Sequence, residues 1–194
     1  MCCLLYRVCG LEVFGVELDK RAANLCKRNI DLNMFKATIF NINIENTIRE
    51  LKSVSFDHIF MNPPYFKKNS VKKSHRLSSY QAKVESMPLS AWFSVAKNRC
   101  KPNGKVTIIQ RVERLPDIIN CLNGNFGQVT VQPISSFKDT SPKTVIVQAT
   151  KTSGAAFKLL APKIVHRRDS ISGKVVYADE FKKILRYGHP LQLN

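Results

Sequence analysis

The sequence predicts an α/β fold built on a mostly parallel sheet with one antiparallel strand. Short runs rich in β-branched and aromatic residues alternate with segments in which apolar residues recur every three or four positions. Such alternation of strand and helix favours parallel strands joined by crossover helices. The last two strands before the C-terminal region follow each other without a long helix between them, which favours one antiparallel strand.

The first half of the chain is predicted to contain three strands and three helical segments. The strands are apolar runs over 12–16, 37–44 and 56–61. The longest helix spans 20–32, with apolar residues on one side and charges on the other, and Asp19 stands at the N-cap position. The two shorter helical segments span 2–9 and 48–51.

The second half continues the alternation and ends in a basic extension. A polar, basic loop over 67–79 is followed by helices over 89–100 and 114–122, which end at the turn sequences Lys101-Pro102-Asn103-Gly104 and Asn123-Gly124. Strands are predicted over 105–110, 129–133 and 144–150, with an extended piece near 163–166 and a helix near 179–187. We therefore expect one domain over 1–152 and a basic C-terminal extension over 153–194 that packs on it.

The charge balance points to a polyanionic partner. The chain has 31 Lys and Arg against 14 Asp and Glu, a formal charge of +17. A generally basic set of cellular proteins would explain such a charge without any partner. The charge is unevenly placed, however, because no acidic residue occurs from 58 to 84, and this favours nucleic acid.

The cysteines and the apolar runs exclude other classes of protein. The six cysteines form no C-x-x-C pair and have no histidine at ligand spacing, so we expect reduced thiols in a cytoplasm and no metal site. No apolar run approaches the length of a membrane span, and the apolar N-terminus lacks the basic start of a signal peptide, so no membrane partner is expected. The oligomeric state cannot be predicted.

Three polar residues stand at the ends of successive predicted strands: Glu17, Asn43 and Asn62. Ligands of open α/β sheets bind outside the carboxyl ends of the strands. The third begins the sequence Asn62-Pro63-Pro64-Tyr65. The two prolines fix φ and remove two backbone donors, so the turn is stiff. It presents an amide and an aromatic ring, the groups needed to hold a planar, amine-bearing substrate.

The order of these segments resembles a known family. The chain shows the order of segments seen in class I S-adenosylmethionine methyltransferases that methylate amino groups, and so resembles them. The segments are Gly15-Val16-Glu17-Leu18-Asp19, then Asn29-Ile30-Asp31-Leu32-Asn33, then Asn62-Pro63-Pro64-Tyr65. The turn at 101–105, the segment Gln110-Arg111-Val112-Glu113-Arg114-Leu115 and the tail ending at Tyr187-Gly188 resemble the bacterial tRNA1(Val) adenine-37 N6-methyltransferase group. The resemblance covers nearly the whole chain and implies a Rossmann-like methyltransferase sheet.

The resemblance also implies roles for individual residues. Glu17, with Leu18 beside it, would bind the ribose of S-adenosylmethionine. Asn43, with Ile44, would lie against its adenine, where the family usually has Asp. The Asn62 side chain and the Pro63 carbonyl would accept hydrogen bonds from the target amine. Asn62 would also face the cofactor. Tyr65, which follows the stiff Pro63-Pro64 turn, would stack on the base. The residues that would grip flanking nucleic acid are Phe66, Lys67, Lys68, Lys72, Lys73 and Arg76.

The N-terminus departs from the family pattern. These enzymes open with a strand and a loop of the form Asp-x-Gly-x-Gly-x-Gly that holds the cofactor, and nothing before Glu12 matches it. We therefore expect a chain that lacks this first strand and glycine-rich loop and that binds S-adenosylmethionine weakly or not at all, although the full-length parent would bind it.

Three functions remain open at this point. The first is N6-methylation of adenine in tRNA. The second is methylation of another amine, in rRNA guanine, DNA adenine or protein glutamine, because the Asn-Pro-Pro-Tyr sequence does not identify the substrate. The third is a cofactor-free nucleic-acid-binding remnant, which the absent glycine loop favours.

Overall fold

The computed structural model describes residues 11–46, 49, 51–65 and 87–193. The chain divides into two compact units, one reaching to Val54 and the other beginning at Ser55. The short helix predicted over 2–9, Ile48 and Glu50 of the helical turn predicted over 48–51, and the loop predicted over 67–79 lie outside the described residues. No helix among the described residues is long and apolar enough to cross a membrane.

The first unit is a strand–helix–strand motif. Strands β1 (Val13–Val16) and β2 (Ala37–Phe40) pair in parallel, and helix α1 (Lys20–Leu32) connects them. The predicted cap is confirmed, because Oδ1 of Asp19 accepts a hydrogen bond of 2.8 Å from the Ala22 amide. The small core of this unit consists of Ala23, Ile30 and Ile39.

The prediction that the second strand extends to residue 44 is wrong. β2 ends at Phe40, and a 3-10 turn spans Ile44–Asn46. The physical reason lies in two asparagines. The Asn41 side chain bonds backward to the chain after β1, and Oδ1 of Asn43 accepts from the Glu45 amide at 3.2 Å, which starts the turn.

The second unit contains a six-stranded sheet. Its strands are β3 (Phe56–Met61), β4 (Cys100–Arg111), β5 (Phe126–Ser135), β6 (Thr144–Lys151), β7 (Lys158–Leu159) and β8 (Lys163–Ile164). Their order is β3-β4-β6-β5-β7, and β8 also pairs with β5. β6 is antiparallel to both of its neighbours, whereas β3 pairs with β4, and β5 with β7 and β8, in parallel. The predicted mostly parallel sheet with one antiparallel strand is confirmed.

Two helices cover one face of this sheet. The buried side chains of α2 (Leu89–Arg99) and α3 (Leu115–Leu122) share one core with the inward residues of β4, β5 and β6. Lys151, at the end of β6, donates hydrogen bonds of 2.6 Å to the carbonyls of Lys97 and Cys100. Its positive charge therefore lies at the C-terminus of α2, where the helix dipole favours a cation.

The turn sequence 101–104 is an excursion within β4. Phe56 pairs with Cys100 and His58 with Lys105, so the ladder with β3 continues on both sides of the excursion. Asn103 has a φ of 60°. A Cβ atom on Gly104 would lie 2.7 Å from the Cys100 sulfur and 2.9 Å from the Lys101 carbonyl oxygen, so only glycine fits here.

The C-terminal segment forms a hairpin and a helix. β9 (His166–Arg168) and β10 (Val175–Tyr177) pair antiparallel, and α4 (Asp179–Lys182) continues as a π-helical turn over Lys183–Tyr187. β7 and β8 precede this hairpin and attach the segment to β5. The division into a domain over 1–152 and an extension over 153–194 stays a prediction.

Candidate functional site

The Asn-Pro-Pro-Tyr turn directly follows β3, at the carboxyl end of a parallel strand. Met61 and Pro63 are buried, whereas the intervening Asn62 is exposed. Pro64 is half-buried, and Tyr65 is 37% exposed. The alternation of buried and exposed residues fixes the turn to the core and directs one amide and one aromatic ring outward, where a ligand can reach both.

Gln110 on β4 holds this turn from beneath. Its side chain is fully buried, and Nε2 donates hydrogen bonds to the carbonyl oxygens of Pro63 at 3.3 Å and of Pro64 at 3.1 Å. Oε1 accepts a hydrogen bond of 2.9 Å from the Arg111 amide. Because the oxygen is committed to that donor, the nitrogen must face the two carbonyls.

The local sequence explains why a side chain is needed there. The ladder between β3 and β4 ends where Met61 pairs with Ile108, two residues before Gln110. Beyond that point the proline carbonyls need donors, since buried carbonyl groups are almost always paired. Gln110 supplies both hydrogens and fixes the carbonyl that was predicted to face a substrate amine. Each carbonyl oxygen keeps a second lone pair for a further donor.

Four of the five residues predicted to bind a cofactor lie in the first unit, in the segments that follow β1 and β2, and the fifth, Asn62, lies in the second unit. Glu17 is half-buried, and its Oε1 accepts a hydrogen bond of 2.9 Å from the Asp19 amide. Its other carboxylate oxygen has no hydrogen-bond partner within the described part of the chain. The side chain of Leu18 is exposed, and Ile44 begins the 3-10 turn. Oδ1 of Asn43 accepts a hydrogen bond from the Glu45 amide, and its side-chain nitrogen has no hydrogen-bond partner among the described residues.

Asn41 fixes the segment that carries Glu17. Its Nδ2 donates hydrogen bonds of 2.9 Å to the carbonyls of both Glu17 and Leu18. This arrangement repeats the one at Gln110, in which an amide from the neighbouring strand binds two successive carbonyls after a strand end. The sequence patterns did not predict these roles of Asn41 and Gln110, although each is a polar residue at or next to the end of a largely apolar run.

The predicted site residues therefore fall into three groups. Glu17, Leu18, Asn43 and Ile44 follow two paired parallel strands of the first unit. Asn62, Pro63, Pro64 and Tyr65 form one turn of the second unit. The residues predicted to contact nucleic acid, which are Phe66, Lys67, Lys68, Lys72, Lys73 and Arg76, lie outside the described residues. Within the described ranges, no three His, Cys, Asp or Glu residues are grouped so that they could hold a metal ion.

Comparison with known proteins identifies the family. The model of the N-6 DNA methylase family matches residues 7–115, which is more than half of the chain. The chain belongs to the N-6 DNA methylase family. This family agrees with the resemblance to class I S-adenosylmethionine-dependent methyltransferases that the order of the sequence segments indicated.

Individual relatives of this N-6 methylase family member carry more specific names. The chain is 26% identical over 127 residues to a tRNA1(Val) (adenine(37)-N6)-methyltransferase of Shewanella sediminis, which covers 61% of this chain and 52% of the relative. It is 25% identical over 119 residues to a protein of the same name from Shewanella baltica, covering 57% and 49%. The chain thus spans about half the length of these curated relatives.

A solved structure supports the fold of this methylase chain. The crystal structure of a predicted O-methyltransferase from Agrobacterium tumefaciens superimposes with a TM-score of 0.73 at 18% identity. The match covers 96% of this chain and 82% of that one. An identity this low shows the shared methyltransferase fold and leaves the substrate open.

Proposed function

We propose that the protein transfers a methyl group from S-adenosylmethionine to an exocyclic base amine, namely N6 of an adenine in tRNA. The observation that carries this proposal is the turn at residues 62–65, in which exposed Asn62 and Tyr65 flank prolines held by buried Gln110. Family membership supports the reaction type, and the names of the Shewanella relatives support the substrate.

The chemistry of an aromatic amine explains the residue types. Its lone pair is delocalised into the ring, which makes it a poor nucleophile. The Asn62 side-chain oxygen and the Pro63 carbonyl oxygen would accept its two hydrogens, favour the pyramidal geometry that frees the lone pair, and stabilise the developing positive charge. Tyr65 would stack on the base and hold it in line for the transfer.

The residues of the first unit fit the cofactor. A carboxylate with one uncommitted oxygen suits two ribose hydroxyls, and we assign this role to Glu17, beside Leu18. The Asn43 amide nitrogen, next to Ile44, would donate to the adenine ring. Asn62 would face the cofactor as well as the amine. When bound, S-adenosylmethionine supplies the electrophilic methyl group.

The charge of the chain favours nucleic acid as the molecule that carries the target amine. A formal charge of +17 attracts phosphate and disfavours small substrates. An adenine within a helix cannot reach an amine-binding turn, so the target base must be flipped or lie in a loop. The basic segment over 66–76 would bind the phosphates that flank it.

Tritium transfer from labelled S-adenosylmethionine to bulk tRNA, DNA and protein tests this function. In a protein that carries this chain together with the family's glycine-rich cofactor loop, we expect label in tRNA, and we expect Asn62→Ala to abolish transfer while RNA affinity changes little. Asn98→Ala is the matched control, since Asn98 is an exposed asparagine whose side-chain nitrogen donates a hydrogen bond to the Ser94 carbonyl of its own helix. Transfer by Asn62→Ala at the wild-type rate would disprove the amine-acceptor role. Label in DNA or protein, and not in tRNA, would show that the substrate is of that other class.

A cofactor-free nucleic-acid-binding protein is the second candidate. The formal charge of +17 favours nucleic-acid binding whether or not a cofactor binds. Calorimetric titration with S-adenosylmethionine separates the two. Micromolar binding that is lost in Glu17→Ala supports the enzyme, whereas RNA binding with no heat from the cofactor supports the second candidate.

A further inference from the structure

The C-terminal hairpin and the helix after it enclose a concavity of about 600 Å³. β9 and β10 form one wall, and α4 with its π-helical continuation forms the other. The residues that matter for its chemistry are His166, Arg167, Tyr177, Asp179, Lys182 and Arg186. All of them lie in the second unit, and none was singled out by the sequence patterns.

Cations dominate the binding capacity of this concavity. Lys182 and Arg186 stand one helical turn apart and both line it, so they lie on one face of the helix. Neither has an acidic partner within 4.0 Å among the described residues. The third cation, Arg167, approaches Asp179 at 3.6 Å, with both side chains about half exposed or more. Such an exposed pair is weak and can be replaced by a phosphate.

The second acidic residue of the lining is already engaged. Oδ1 of Asp169 accepts hydrogen bonds from the backbone amide and the hydroxyl of Ser172, at 2.8 and 2.7 Å. These bonds hold the pKa of Asp169 below its usual value and close the turn between β9 and β10. This carboxylate therefore stabilises the hairpin and is not a ligand for Lys182 or Arg186.

An aromatic platform lies in the same concavity. The Tyr177 and His166 rings stack with centroids 5.3 Å apart and planes inclined by 21°, and Phe137 supports His166 at 5.8 Å. Tyr177 is still 36% exposed. Cations that track a backbone, combined with a supported aromatic ring, are the two features by which proteins bind single-stranded nucleic acid.

We propose that this concavity binds a single-stranded segment of RNA, with a base stacked on Tyr177 and phosphates at Lys182 and Arg186. The choice of RNA rests on the proposed function, whereas the binding itself does not. The concavity would hold the substrate at residues separate from the Asn-Pro-Pro-Tyr turn. A base stack tolerates any sequence, so this contact adds affinity without selecting the target adenine.

Fluorescence anisotropy of the whole protein with a labelled single-stranded RNA of about 12 nucleotides tests the phosphate contacts over a range of salt concentrations. Removing two phosphate contacts should reduce the slope of log K against log salt by about 1.4, at about 0.7 per contact for single strands. We expect this from the double variant Lys182→Gln/Arg186→Gln. Lys174→Gln/Lys183→Gln removes the same charge at exposed residues that do not line the concavity, and should leave the slope nearly unchanged. Equal slopes for the two double variants would overturn the proposal.

The aromatic contact is tested in the same assay. Tyr177→Leu should weaken binding about tenfold at unchanged salt slope, whereas Tyr177→Phe should bind like the wild type. Phe157→Leu, at an exposed aromatic residue outside the concavity, is the control, and thermal unfolding checks that each variant is folded. Unchanged affinity in folded Tyr177→Leu, or equal affinity for duplex RNA, would refute the assignment. These titrations contain no cofactor, so a failure of methyl transfer would not affect their outcome.

Discussion

Replacing Gln110 by methionine would remove the support of the Asn-Pro-Pro-Tyr turn while nearly keeping the side-chain volume. Three hydrogen bonds disappear, to the Pro63 and Pro64 carbonyls and from the Arg111 amide. At about 1 kcal/mol for each, with the 3.3 Å bond the weakest, the free energy of unfolding should fall by about 2–3 kcal/mol. A displaced turn should also reduce the maximal rate of methyl transfer about a hundredfold.

Gln132→Met is the matched control for this variant. Gln132 is a buried glutamine of β5 whose Nε2 donates to the carbonyls of Pro133 and Ala161, at 2.9 and 2.8 Å. Its loss should cost about 2 kcal/mol of stability but leave the maximal rate unchanged. Urea unfolding gives the stability of both variants, and tritium transfer at saturating RNA gives the rate.

A second substitution at Gln110 should produce a pH dependence that a loss of packing alone cannot produce. In Gln110→Glu the buried carboxyl group faces two carbonyl oxygens, so its pKa should be raised. Protonated, it can donate one hydrogen bond to the turn, and ionised it cannot donate any. Stability and transfer should therefore recover partly as the pH falls and decline as it rises through that pKa. A Gln110→Met rate within twofold of the wild type, or no pH dependence specific to Gln110→Glu, would refute the positioning role.

Three further outcomes concern the fold of the second unit. A Cβ atom on Gly127 would lie 1.8 Å from the Ser153 carbonyl oxygen, so Gly127→Ala should lower the free energy of unfolding by about 1–3 kcal/mol, and Gly154→Ala, which meets nothing within 4 Å, should not. Burial lowers the pKa of His58 from its ordinary value of 6.5. The unfolded chain therefore binds a proton at a higher pH than the folded chain, and stability is lost as the pH falls below 6.5. In His58→Gln this loss should disappear, as urea unfolding above and below pH 6.5 would show. Lys151→Met removes the cation at the C-terminus of α2, and thermal unfolding should show a loss of about 1–2 kcal/mol, or none if the helix dipole is unimportant there.

The sequence predicted those parts of the fold that depend on local patterns. The structure has α1 and β3 with the predicted bounds, because a one-sided apolar helix with an Asp cap and a short, largely apolar and aromatic run are both local signals. The antiparallel β6 was predictable from the shortness of its connection. The turn at Asn62 could be located because two prolines restrict it whatever its surroundings.

The parts that were missed depend on contacts between residues far apart in the chain. Gln110 bonds to carbonyls 46 and 47 residues earlier, and Asn41 to carbonyls 23 and 24 residues earlier. The periodicity of apolar residues in the sequence does not indicate hydrogen-bond partners that lie so far apart in the chain. β4 likewise begins at Cys100 because the chain resumes its pairing with β3 across the excursion, which a local stop signal cannot indicate. Tertiary hydrogen bonds decided these boundaries.

The position of β6 has a consequence for how the chain folds during synthesis. β5 pairs with β6, β7 and β8, all of which follow it in the chain, and not with β4, which precedes it. As the chain leaves the ribosome, β5 therefore emerges with both edges unpaired and must wait until residue 151 is available. Unpaired strand edges favour aggregation. Slow translation between residues 135 and 151 should accordingly lower the yield of folded protein more than slow translation beyond that point.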